Sequence, residues 1–139
     1  MEALQQLYTD YLAEVIEVLR NAPRFAGIFG LGEDPRKHPC HTIFYNNVEK
    51  WVEEFLAAQP SREAALETAW FFLEAPKKHE ETESYWFMYV CIGFIRKLIP
   101  YLTAADCKAL AERFNALYPR RDRMPVQQET FKMLQKASK

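Results

Sequence analysis

Apolar residues recur every three to four positions along most of this chain, and nowhere do they alternate in twos. Near the start, Leu4, Leu7, Tyr8, Tyr11, Leu12, Val15, Ile16 and Leu19 share one side, with Glu and Gln between them. That spacing predicts an amphipathic helix from Glu2 to Asn21, ended by Asn-Ala-Pro. A long connection to His38 follows, within which Phe25, Ile28, Phe29 and Leu31 make a short apolar cluster. A second helix is expected from Pro39, since proline is tolerated at the first helical position. Its apolar face is Ile43, Phe44, Val48, Trp51, Val52, Phe55 and Leu56, and it stops before Pro60. Ser61 is a natural N-cap for a third helix over 61–75, ending at Pro76.

The fourth helix, over 83–99, is apolar almost all round through 85–95, the pattern of a helix enclosed by others. Thr103 caps a fifth, with Asp106 as capping-box partner and Cys107, Leu110, Phe114 and Leu117 as the buried stripe. A sixth starts at Pro125 and docks through Val126, Phe131 and Leu134. No segment reads as strand. The reading is one all-α domain over residues 1–139, a compact bundle of five or six helices built from antiparallel hairpins. Helices two and three are echoed by four and five at an offset of 40 to 42 residues. The alternative is therefore a short HEAT-like superhelix, although such arrays need about three repeats for stability.

Composition sharpens this picture in two ways. With 139 residues, 49% hydrophobic and 14% aromatic, the chain has ample material for one core and no character of disorder. Its longest apolar run is too short for a membrane span, which takes about 20 residues. The three cysteines form no even framework, and the N-terminus lacks the features of a secretory leader, so a reducing cytoplasm is expected. Charge is uneven: residues 1–95 carry 8 Lys plus Arg against 15 Asp plus Glu, and residues 96–139 carry 10 against 4. An acidic first part and a basic last part point to an interaction surface.

Candidate chemistry concentrates in Arg36-Lys37-His38-Pro39-Cys40-His41. A cysteine at a helix N-terminus, near basic residues, has the setting that lowers a thiol pKa, and His38 or His41 is a candidate base. No orienting partner for either histidine is evident, so helix punctuation ranks first and a reactive Cys40 second. A zinc site from His38, Cys40, His41 and His79 ranks third, because adjacent Cys40 and His41 are awkward joint ligands and paired spacing is absent. Gly27, Gly30 and Gly32 follow no strand and make no nucleotide fingerprint. The carboxylate pairs Glu53/Glu54 and Glu80/Glu81 lack apolar surroundings and are no acid–base dyad. No cofactor is expected.

The remaining feature is a basic C-terminal region: Arg120, Arg121, Arg123, Lys132 and Lys136. The expectation is a non-enzymatic protein-binding or regulatory domain, of adaptor, inhibitor or immunity-like character, engaging an acidic protein or the acidic half of a second copy. Two alternatives stand behind it. One is a thiol-dependent enzyme or redox sensor at Cys40. The other is nucleic-acid association through the basic segment, for which no recognised signature is present.

Overall fold

A computed structural model of the chain describes residues 1–21, 35–78 and 86–139. The cluster Phe25, Ile28, Phe29 and Leu31, the glycines of 27–32, His79 and Glu80/Glu81 lie outside the described residues. All regular structure among those described is helical: α1 (Glu2–Asn21), α2 (Cys40–Ala57), α3 (Arg62–Lys78), α4 (Trp86–Cys91), α5 (Ile95–Leu98), α6 (Ala104–Leu117) and α7 (Pro125–Ala137). The all-α bundle expected from the periodicity is present. None of these helices is long and apolar enough to cross a membrane.

The helix boundaries follow local chemistry. Ser61 Oγ accepts from the backbone N–H of Ala64 at 3.1 Å and starts α3. Thr103 and Asp106 close a full capping box: Asp106 N–H donates to Thr103 Oγ1 at 3.1 Å, and Thr103 N–H to Asp106 Oδ2 at 3.0 Å. At α7, Met124 N–H donates to Gln127 Oε1 at 2.8 Å. Pro39 precedes the first helical residue instead of being it, a difference of one position.

Two expectations need correction. Pro76 does not stop α3, which runs to Lys78 with the proline inside. A proline φ near −65° is compatible with helix, and both Ala75 and Pro76 are buried, so packing offsets the lost N–H bond. The fourth helix is not one regular rod. A 3-10 stretch, Ile92–Phe94, separates α4 from α5, and a second, Ile99–Tyr101, ends it. Within the first of these lies Gly93, where a Cβ would stand 2.7 Å from Val126 Cγ2. Here α7 approaches the backbone so closely that only glycine fits.

One continuous core joins Leu4, Tyr8, Tyr11 and Val15 of α1 to Phe44, Val48 and Val52 of α2, and on through Phe72, Ile92, Ile95, Leu98, Leu110, Phe114 and Leu134. Each such side chain contributes about 1.5–3 kcal/mol by leaving water. Tyr11 and Phe44 stack face to face, with centroids 4.0 Å apart, and Tyr8 meets Phe44 edge-on at 5.0 Å. The pairings Tyr8–Phe44 and Tyr11–His41 run in opposite senses along the chain, so α1 and α2 are antiparallel.

The 40-residue echo has a counterpart in space, since corresponding helices of the two units lie side by side. Arg62 holds Asp106 with bonds of 2.8 and 2.6 Å, and Arg113 holds Glu74 at 2.8 and 3.3 Å. Hence α3 and α6 lie side by side and run the same way. Likewise His41 stacks on Phe87 and Tyr45 on Phe94, which makes α2 and the α4–α5 segment parallel neighbours. The most extensive helix pairs are α1 with α2 and α6 with α7, so the hairpin-like contacts sit at the two ends of the chain.

Candidate partner-binding face

The start of α2 is built as punctuation. His38 Nδ1 accepts from the backbone N–H of Cys40 at 3.1 Å, which satisfies one of the donors every helix leaves free at its first turn. His41 points into the core, shares a 2.7 Å hydrogen bond with the Tyr11 hydroxyl and stacks on Phe87 with centroids 5.5 Å apart. It is 2% exposed. The two histidines thus serve different partners, His38 the helix start and His41 the Tyr11 hydroxyl.

Cys40 itself is buried, also 2% exposed. Burial pushes its thiol up to about 11, helped by the Glu14 carboxylate across the α1–α2 cleft. The backbone N–H groups of Cys40 and His41 pull the other way, as a helix N-terminus should, but they lose. This is the reverse of the setting a nucleophile uses. Cys91 and Cys107 are buried as well, with thiols raised by burial. Among the described residues, no three His, Cys, Asp or Glu side chains gather as metal ligands.

The five basic candidates divide. Arg123 is committed within the fold. Its guanidinium donates to Tyr118 O at 2.9 Å, Gln128 Oε1 at 3.1 Å and Asn115 Oδ1 at 2.6 Å. It also lies over the rings of Phe131 and Phe114, at 4.2 and 5.1 Å from their centroids. Arg123 therefore locks the corner between α6 and α7. Arg120 and Arg121 stand exposed on that corner, the latter near Asp122 at 3.9 Å. Lys132 and Lys136 are exposed one turn apart on α7, with no ion pair among the described residues.

Two features of this surface were not legible in the sequence. Met133, between the two lysines, is 38% exposed. It borders a groove of about 280 Å³ formed with Tyr45, Glu49, Val90, Phe94, Arg96 and Lys97. On α2, Ile43 belongs by its spacing to the buried face, yet it is 55% exposed. It lies at a smaller cleft of about 100 Å³ between α1 and α2, beside Asp10 and Glu14. The only sequence signal for either was position. Ile43 and Met133 sit at the margins of their helices' apolar stripes, where periodicity cannot distinguish inside from edge.

No family model, curated protein or solved structure matches this chain.

Proposed function

We propose that this chain is a non-enzymatic protein-binding domain that presents the basic corner and outer face of α7 to an acidic protein surface. The observation that carries the reading is the division of labour among its polar groups. The thiols and His41 are spent inside the core, whereas Arg120, Lys132 and Lys136 stand in solvent without an internal counter-charge among the described residues. Exposed cations around an exposed methionine match the mixed apolar and charged make-up of a recognition patch. Three unpaired thiols suit a reducing compartment.

The test is comparative capture from the chain's own cells. The wild-type chain is immobilised beside the variant Arg120→Glu/Arg121→Glu/Lys132→Glu/Lys136→Glu, whose changes are all on exposed side chains. A protein retained at fixed stoichiometry by the wild type and lost by the variant, with unchanged melting, supports the reading. Equal retention by both would sink it. Capture abolished by nuclease would instead favour nucleic acid held through the same cations, with the steep salt dependence that phosphate contacts impose.

A further inference from the structure

Among the described residues four large apolar side chains are exposed: Ile16 and Leu19 near the end of α1, Ile43 on α2 and Met133 on α7. The charged lining of the Ile43 cleft is acidic alone, whereas Met133 borders a groove that holds Arg96 and Lys97 together with one carboxylate, Glu49. Ile43 sits at the α1–α2 cleft between the carboxylates of Asp10 and Glu14, both exposed. Met133 sits between the ammonium groups of Lys132 and Lys136, both exposed, with Lys97 across its groove. Asp10 and Glu14 are four residues apart on α1, and Lys132 and Lys136 are four residues apart on α7. Each pair is therefore spaced by one helical turn, about 5–6 Å between Cβ atoms.

From this match we infer that the chain binds a second copy of itself, with the Lys132–Met133–Lys136 ridge of one molecule seating on the Asp10–Glu14–Ile43 cleft of the next. The inference rests on the reading of α7 as a binding face and names its partner. Helix α7 is not among the extensive neighbours of α1 or α2, so a molecule's own ridge does not fill its own cleft. The cleft has the dimensions for one side chain, and an unbranched thioether adapts to a small irregular space. The ion pairs align the two helices, while burying Ile43 against Met133 supplies the apolar contact. One oxygen of Asp10 already accepts from Gln6 at 2.7 Å, which orients the carboxylate. Glu129, also exposed on α7, precedes Lys132 by one turn and restricts the register to the two lysines.

The contact joins two different surfaces, so it is heterologous. It is also small, and the assembly depends on concentration and salt. Sedimentation of the full chain tests it, at about 0.01 M and about 1 M salt, where the screening length changes from about 30 to 3 Å. At low salt the average mass should rise with concentration above that of a single chain, and at high salt it should fall back. Two variants blunt one side each: Asp10→Asn/Glu14→Gln removes the acidic cleft, and Lys132→Gln/Lys136→Gln the basic ridge. Each alone should associate about three- to tenfold more weakly than the wild type. Mixed in equal amounts, they should form a one-to-one heterodimer in preference to larger species, because only one ridge and one cleft remain intact.

A wild type that stays single at every concentration in low salt overturns the proposal, as does a mixture that fails to pair. So does association of either variant alone that is as strong as the wild type's. In any of those cases, α7-dependent capture of a different protein would show that the binding face is real and only its partner was misassigned.

Discussion

A guanidinium costs little at a surface and a great deal beneath one, unless every donor finds an acceptor and the plane finds a ring. In Arg123 each of the three guanidinium nitrogens donates once, to Tyr118 O, Gln128 and Asn115, and the plane lies over Phe131 and Phe114. Arg123→Ala should destabilise the chain by about 1–3 kcal/mol, read by urea unfolding, because it removes hydrogen bonds and the stacked cation together. Arg123→Lys should recover little, since a point charge cannot reproduce the fork. Arg120→Ala and Arg121→Ala should stay within about 0.5 kcal/mol of the wild type. In the sequence these three arginines look equivalent, and no spacing rule separates them. A similar contrast applies at Cys40. With its thiol raised to about 11, alkylation at neutral pH should run at least about a hundredfold slower than in the unfolded chain. Site-resolved mass spectrometry checks this, and equal rates in the two states would restore the reactive-thiol reading.

At the scale of elements, the capping residues were legible because a cap is a local bargain between a side chain and the next three N–H groups. Ser61 and Thr103 both do what their position predicts. The close approach at Gly93 was not legible, because the residue that makes it, Val126, lies 33 residues away. Gly93→Ala adds up to about 1 kcal/mol of helix propensity, yet forces a stiff β-branched side chain out of contact distance. Overpacking of this kind costs about 1–3 kcal/mol, so the net effect should be destabilising. Val126→Ala should make the same substitution tolerable. The double variant, followed by thermal unfolding, should lose less stability than the two single losses added together. Simple additivity would show that the glycine is needed for something other than close approach.

For the whole molecule, the same burial that silences the thiols shapes the response to pH. Asp106 is 6% exposed and is held well below the usual carboxylate range, chiefly by its hydrogen bonds from Arg62, with the Thr103 cap adding to the effect. A carboxyl group whose pKa is lower folded than unfolded favours folding above the unfolded value of about 3.9, and this contribution is lost as pH falls. The thiols behave oppositely. Cys40, Cys91 and Cys107 are raised by burial, so their contribution is complete below the unfolded value of about 8.5 and drains away as pH rises, for Cys40 towards about 11. Through these groups stability should fall below the lower limit and above the upper one. Urea midpoints across pH check it: Asp106→Asn should flatten the acid limb and Cys40→Ala part of the alkaline one. An unchanged acid limb in Asp106→Asn would mean that the Arg62–Asp106 pair contributes nothing to folding.

What the sequence by itself determined is what short-range physics controls. The 3.6-residue period, the caps at Ser61 and Thr103 and proline at the head of α7 specify where helices form and which stripe of each turns inward. The charge imbalance between the two parts of the chain is likewise a property of the sequence. Only the tertiary structure decided which helices became parallel neighbours, which arginine was drawn inside, and that Ile43 and Met133 remained in water. Those outcomes depend on distances between residues far apart in the chain. At the margin of an apolar stripe, a side chain is buried or exposed according to whether another helix happens to lie over it.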